Sequence, residues 1–312
     1  MEFIHIMNYL YEMQIEWSEH NIENIELLSK QLVEGFIIGL HKSPFHGFSV
    51  EFAEHRLYNT GDNLKHVDWK VFGKKETMFV KKYEEETNLR CCIAIDQSGS
   101  MHFSNEQTTK LQYATVAAAC ILQLLQKQLD ASAIALFSDK LDELTNFGAT
   151  KRHTKALFAT LNNIVKTNYT DKQTAFAKSI HELAERLPKR SLVVIFSDFP
   201  YSEIDTNGIY EALHHLKFNK HEVILFHLQE KNNEIEFNFE NRAYEFIDME
   251  SGEKLLLNPA QIQEKYRAQM MSYQKKLEEF CINNRIDLIP CDMSTNITFV
   301  LQQYLQKRSK LM

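Results

Sequence analysis

The sequence predicts an α/β protein: a doubly wound, mostly parallel sheet preceded by an N-terminal helix and a small β module. Three observations carry that prediction. From Arg90 onward, five short apolar runs recur at 91–95, 133–137, 192–196, 223–228 and 286–289. Helical patterns lie between them, and a strand that is apolar on both faces is one covered by helices on both sides. Two of the runs end in carboxylate and hydroxyl residues, Asp96-Gln97-Ser98-Gly99-Ser100 and Ser197-Asp198, and open parallel sheets bind ligands beyond the carboxyl ends of their strands.

Taken in order, residues 21–40 place Ile22, Ile25, Leu28, Leu32 and Phe36 at helical spacing. From Gly47 to about Tyr83 the chain is rich in aromatic and β-branched residues, with turn chemistry at Thr60-Gly61-Asp62-Asn63 and Phe72-Gly73-Lys74. The alternation beyond it has helices at 107–129, 152–165, 174–187, 206–218, 260–283 and 296–308. In the helix at 260–283, Ile262, Tyr266, Met270, Tyr273, Leu277 and Phe280 form one stripe. Two extended runs joined at Glu250-Ser251-Gly252-Glu253 read as a hairpin. The expected organisation is therefore a helix and β module over 1–89 and a sheet domain over 90–312. A hairpin and long-helix insertion at about 231–284 precedes the last strand.

Composition narrows the function. The net charge of -7 over 312 residues leaves no basic surplus with which to displace counterions from phosphates, so a nucleic-acid partner is not expected. The five cysteines, at 91, 92, 120, 281 and 291, form no CxxC pair, and two sit side by side in an apolar run. Reduced, buried thiols are expected rather than a disulfide framework or zinc ribbon. The first residues lack the basic start and unbroken apolar stretch of a signal peptide, and no segment reads as a membrane span. A cytoplasmic location is expected.

The candidate chemistry lies at the two strand ends. Asp96, Ser98 and Ser100 put oxygen at every second position of a tight turn, so a curling loop can aim all three at one centre. If the strands at 91–95 and 192–196 are neighbours across the reversal of strand order, Asp198 faces the same crevice. A third loop, Asn168-Tyr169-Thr170-Asp171, can add the Thr170 hydroxyl. Thr174 is a rival for that place. An oxygen-only set suits a hard cation, Mg²⁺ or else Mn²⁺ or Ca²⁺, rather than zinc or copper. Hydroxyls are neutral ligands, so with Ser98, Ser100 and Thr170 in direct contact and Asp96 and Asp198 holding its waters the ion keeps much of its charge and attracts an external carboxylate.

Asp96, Ser98, Ser100, Thr170 and Asp198 together resemble the metal-ion-dependent adhesion site of von Willebrand factor A domains. Phe199 stands where a glycine usually follows the last aspartate, which makes the shape of that loop the point to check. The segment HKSPFHGFSVEFAEHRLYNTGDNLKHVDWK, followed by FVKKYEEETNLR, is similar to the signature of bacterial proteins grouped as domain of unknown function 58. In that family the signature precedes an A domain, and a hairpin plus long helix precedes its last strand. The resemblance implies work beside a MoxR-type AAA+ ATPase in assembly or activation of other proteins, with no settled catalytic activity.

Other readings are weaker. Within the signature, Glu51, Glu54, Arg56, Asp62, Asp68, Trp69 and Lys70 are candidates for function, but Arg56 and the acids read better as a structural ion-pair network and Trp69 as a buried anchor. His41, His46, His55 and His66 lack cysteine partners and HExxH spacing. Glu84-Glu85-Glu86 reads as a solvated strand face. GxSxG, P-loop and GxGxxG patterns are missing. The expected function is a metal-dependent protein-interaction module rather than an enzyme, with an acidic side chain of a partner completing the metal site. A metal-dependent phosphohydrolase using Asp96, and a scaffold with a vestigial site, are the alternatives.

Overall fold

The structure is a computed structural model that describes residues 24–41, 55–57, 71, 73, 79–81, 89–104, 108–166, 175–199, 203–248 and 252–309. Described residues of 1–43 and 89–312 form one compact unit, and those of 44–88 a second. The second contains β1 (His55–Leu57) and β2 (Phe79–Lys81), paired antiparallel with Arg56 opposite Val80. The side chains of the charged signature residues, Trp69, and His41, His46, His55 and His66 lie outside the described set, as do Glu84, Glu85 and Glu86.

The N-terminal helix, α1 (Ile25–His41), groups with the sheet domain rather than with the β module. The reason is its stripe: Ile25, Leu32 and Val33 are buried in the same core as the sheet. An amphipathic helix is stable where that stripe is covered, and the following domain covers it.

The main unit runs β3 (Arg90–Asp96), α2 (Lys110–Gln128), β4 (Ala131–Phe137), β5 (Leu141–Leu144), α3 (Lys151–Lys166), α4 (Phe176–Arg186) and β6 (Leu192–Ser197). It continues through α5 (Glu203–Phe218), β7 (Glu222–Gln229), a hairpin of β8 (Tyr244–Ile247) and β9 (Lys254–Leu257), α6 (Gln263–Asn283), β10 (Asp287–Asp292) and α7 (Ile297–Ser309). The six-stranded sheet has the order β10-β7-β6-β3-β4-β5. All neighbours are parallel except β4 and β5. Numbered along the chain within the sheet, this is 6-5-4-1-2-3, so the order reverses between β3 and β6. That is the doubly wound, mostly parallel α/β arrangement the sequence predicts.

Each strand buries alternate residues in two separate cores. On one face, Ile93, Ile95, Val194 and Phe196 pack with α1, α2, α3 and α7; on the other, Cys92, Ala94, Val193 and Ile195 pack with α4, α5 and α6. All five cysteines are free and buried. Strand β5 was not foreseen; only four residues long, it leaves Asp142 and Glu143 exposed at the sheet edge. At the opposite edge, β10 pairs, among the described residues, with β7 alone and carries Pro290 in mid-strand, opposite His227.

The hairpin lies where it was expected, but α6 does not belong to an insertion. Met270, Tyr273, Leu277 and Cys281 recur every three or four residues and are buried, so α6 is the ordinary crossover from β7 to β10. Tyr266 instead meets Phe237, 4.5 Å between ring centroids, in an aromatic cluster with Phe239 and Phe246 that seats the hairpin. Among the described residues no helix is long and apolar enough to cross a membrane.

Candidate metal centre

The site forms where β3 and β6 end side by side. Their register pairs Ile95 with Phe196, which sets Asp96 level with Ser197 and puts Asp198 one residue beyond. Asp96 is fully buried. Its Oδ1 accepts the Ser98 backbone N–H at 2.9 Å and its Oδ2 accepts the Ser197 hydroxyl at 2.7 Å. The loop after β3 then curls into a single 3-10 turn, Gly99–His102, fixed by the Met101 N–H to the Ser98 carbonyl at 3.1 Å. Met101 is buried in the core and pins the loop from below.

That curl brings the hydroxyls together. Ser98 Oγ lies 3.1 Å from Ser100 Oγ, and the Ser100 hydroxyl donates to Asp198 Oδ1, also at 3.1 Å. In an octahedron with metal–oxygen distances of about 2.0–2.1 Å, adjacent oxygens stand about 2.9 Å apart. The spacings of Ser98, Ser100 and Asp198 fit a magnesium ion in that respect, and the donor set is oxygen alone. Among the described residues no group of three or more His, Cys, Asp or Glu side chains is placed to hold a metal, so a cation here depends on the serines. Thr170 and Thr174 lie outside the described residues.

Phe199 resolves the question of the missing glycine. Its φ is 48°, in the left-handed region that a glycine would adopt without cost. The backbone keeps that shape although the residue is aromatic. Phe199 is buried, edge-on to Phe176 and to His227 at 5.2 Å each, and its N–H donates to Ser197 Oγ at 3.1 Å. His227, on β7, reaches the Asp198 carbonyl with Nε2 at 3.1 Å, so that nitrogen carries the proton. Burial pushes the His227 pKa down to about 4, keeping the ring neutral.

Electrostatics sharpens the picture. Burial, then the neighbouring Asp198, pushes the Asp96 pKa up to about 7, while hydrogen bonds from Ser98 and Ser197 pull the other way. Two residues missed in the sequence enter here. The Lys110 ammonium, 1% exposed, lies 2.8 Å from Asp198 Oδ2 and 2.5 Å from Glu234 Oε1. Burial drags the Lys110 pKa down, but the two carboxylates more than reverse it, so the net shift is upward. Glu234 belongs to a single π-helical turn, Lys231–Ile235, at the end of β7. Burial raises its pKa against the pull of Lys110. A lysine opening an apolar helix normally reads as solvated, so no sequence signal pointed to either residue.

Residues 54–277 match the family model described as "Protein of unknown function DUF58". Uncharacterised proteins of Mycobacterium tuberculosis and Mycobacterium bovis are 30% identical over 100 residues, 32% of this chain. The match also spans 32% of each of those relatives, about a third of their length. The conserved hypothetical protein BatB of Bacteroides thetaiotaomicron aligns over 71% of this chain and 99% of its own at 13% identity, with a TM-score of 0.44. The von Willebrand factor A domain of SpRpn10 aligns over 69% and 94% at 12% identity, with a TM-score of 0.38.

Proposed function

This chain belongs to the family of unknown function DUF58, and from that premise we propose that it is a protein-interaction module whose crevice holds a divalent cation. The observation that carries the reading is the run of oxygens from Ser98 through Ser100 to Asp198 at successive 3.1 Å spacings. Ser98, Ser100 and Asp198 would hold the ion, Asp96 would steady the loop and its waters, and Thr170 would complete the set. The ion would supply an electrophilic site for a carboxylate of a protein partner. Three of these four protein ligands would be neutral alcohols, so much of the ion's charge is left to attract that carboxylate. The partner proposed from the family resemblance is a MoxR-type AAA+ ATPase, with assembly or activation of other proteins as the joint task.

A catalytic role has less support. Both oxygens of Asp96 already accept hydrogen bonds and the carboxyl is buried, which is poor placement for a nucleophile. The metal-free scaffold has one observation in its favour: the Lys110 ammonium on Asp198 could stand in for an ion. Calorimetry decides between the two. Uptake of one Mg²⁺ or Mn²⁺ by the native chain, abolished in Ser100→Ala and Asp198→Ala, supports the metal reading. No uptake by the native chain leaves the scaffold. Capture of a purified MoxR-type ATPase that is lost with EDTA supports the adaptor role, and capture indifferent to EDTA removes its metal dependence.

A further inference from the structure

We propose that Lys110 and Glu234 are positioning residues that set the cation affinity of the crevice, the lysine opposing the ion through Asp198 and the glutamate relieving that opposition. This rests on reading the crevice as a metal site. One carboxylate is shared between two cationic positions. Asp198 Oδ1 faces Ser100 at 3.1 Å, on the side where an ion would sit, while Oδ2 faces Lys110 Nζ at 2.8 Å. A cation arriving at Oδ1 is repelled by the ammonium across the carboxylate, and competes with it for the same negative charge.

Lys110 cannot escape that conflict by swinging into water. It is 1% exposed, and it begins α2, where Thr109 forms a capping box with Gln112 and the Lys110 N–H donates to the Phe103 carbonyl at 3.1 Å. Among the described residues its other carboxylate partner is Glu234. That carboxylate offers Oε1 to the ammonium and accepts the Glu230 N–H on Oε2 at 2.8 Å. Glu230 in turn caps the π-helical turn by accepting from the N–H groups of Asn232 and Asn233. The ammonium already touches both carboxylates; an ion at Oδ1 draws on the charge of Asp198, so Glu234 carries more of the lysine's pairing and the turn that leads to the hairpin is steadied. By linkage, whatever steadies the turn tightens the ion.

The test is Mn²⁺ titration calorimetry on the full chain, with thermal melts to show that each variant folds. Lys110→Met is expected to bind Mn²⁺ about tenfold more tightly and Glu234→Gln about tenfold more weakly. The double variant should match Lys110→Met, because Glu234 acts through the lysine, and Lys110→Arg should stay near native affinity. Opposite signs are the readout, since structural damage alone weakens binding in every variant. In hydrogen exchange, the backbone of 231–236 should gain protection with Mn²⁺ in the native chain and not in Glu234→Gln. Affinity unchanged or lowered in Lys110→Met overturns the inference, and if that variant does not fold, native affinity in Glu234→Gln overturns it alone. A native chain that takes up no Mn²⁺ beside a Lys110→Met that does would sink the metal reading and leave the inference standing. Failure of both to bind removes both.

Discussion

Asp96 sits where β3 delivers it, fully buried and with a second carboxylate nearby. An aspartate whose folded pKa of about 7 exceeds the ordinary 3.8 stabilises the fold while it is protonated. That contribution is complete below the unfolded value and is lost as pH rises through the folded one. In metal-free protein, urea denaturation should show Asp96→Asn gaining on the native chain from about pH 4 to pH 7 (His227, with its lowered pKa, works the other way in both proteins and cancels in the comparison). Equal pH slopes for the two would refute the upward shift. Phe199 gives a second residue-level expectation. Phe199→Ala loses the buried ring and should cost about 3–5 kcal/mol. Phe199→Gly removes the same ring but relieves the positive φ, and should be about 1 kcal/mol milder. The reverse ranking in urea titrations would mean the left-handed backbone does not persist in solution. At this scale the sequence was half legible. Asp96, Ser98, Ser100 and Asp198 were found because spacing after an apolar run is a local property. Lys110 and Glu234 were not, and Ser197, though noted at its strand end, was given no role, because each acquires its role from a contact about a hundred residues away in the chain.

Elements were more readable, since helix and strand are written in local periodicity. The apolar runs became β3, β4, β6, β7 and β10 with shifts of a residue or two at most ends. Strand β5 escaped because four residues with two exposed acids carry little pattern. Helix α6 was found but assigned to an insertion, because a long helix after a hairpin looks the same whether it packs on the sheet or beside it. Its buried face decides otherwise, and the consequence can be measured. Replacing 241–257, hairpin included, by a short Gly-Ser linker should leave the sheet intact. Near-native melting and unchanged cooperativity are expected, because β7, α6 and β10 retain their contacts. Collapse to a partly folded state would show that the hairpin holds the sheet together. The start of α2 is a more local joint: Thr109→Ala breaks the capping box beside Lys110 and should cost about 1 kcal/mol by chemical denaturation.

At the scale of the whole molecule, the doubly wound class was predictable because five apolar strands alternating with helices admit few other arrangements. Adjacency of β3 and β6 followed from that class and is what unites the two halves of the site. Where the N-terminal helix packs could not be read, since an amphipathic stripe states that it needs a cover and not which cover. One margin of the sheet has a consequence for recognition. Pro290 has no N–H to give, while its neighbours keep β10 in register with β7. A visiting strand that tried to extend the sheet along β10 would find a missing rung midway. Self-association by edge growth is thereby discouraged.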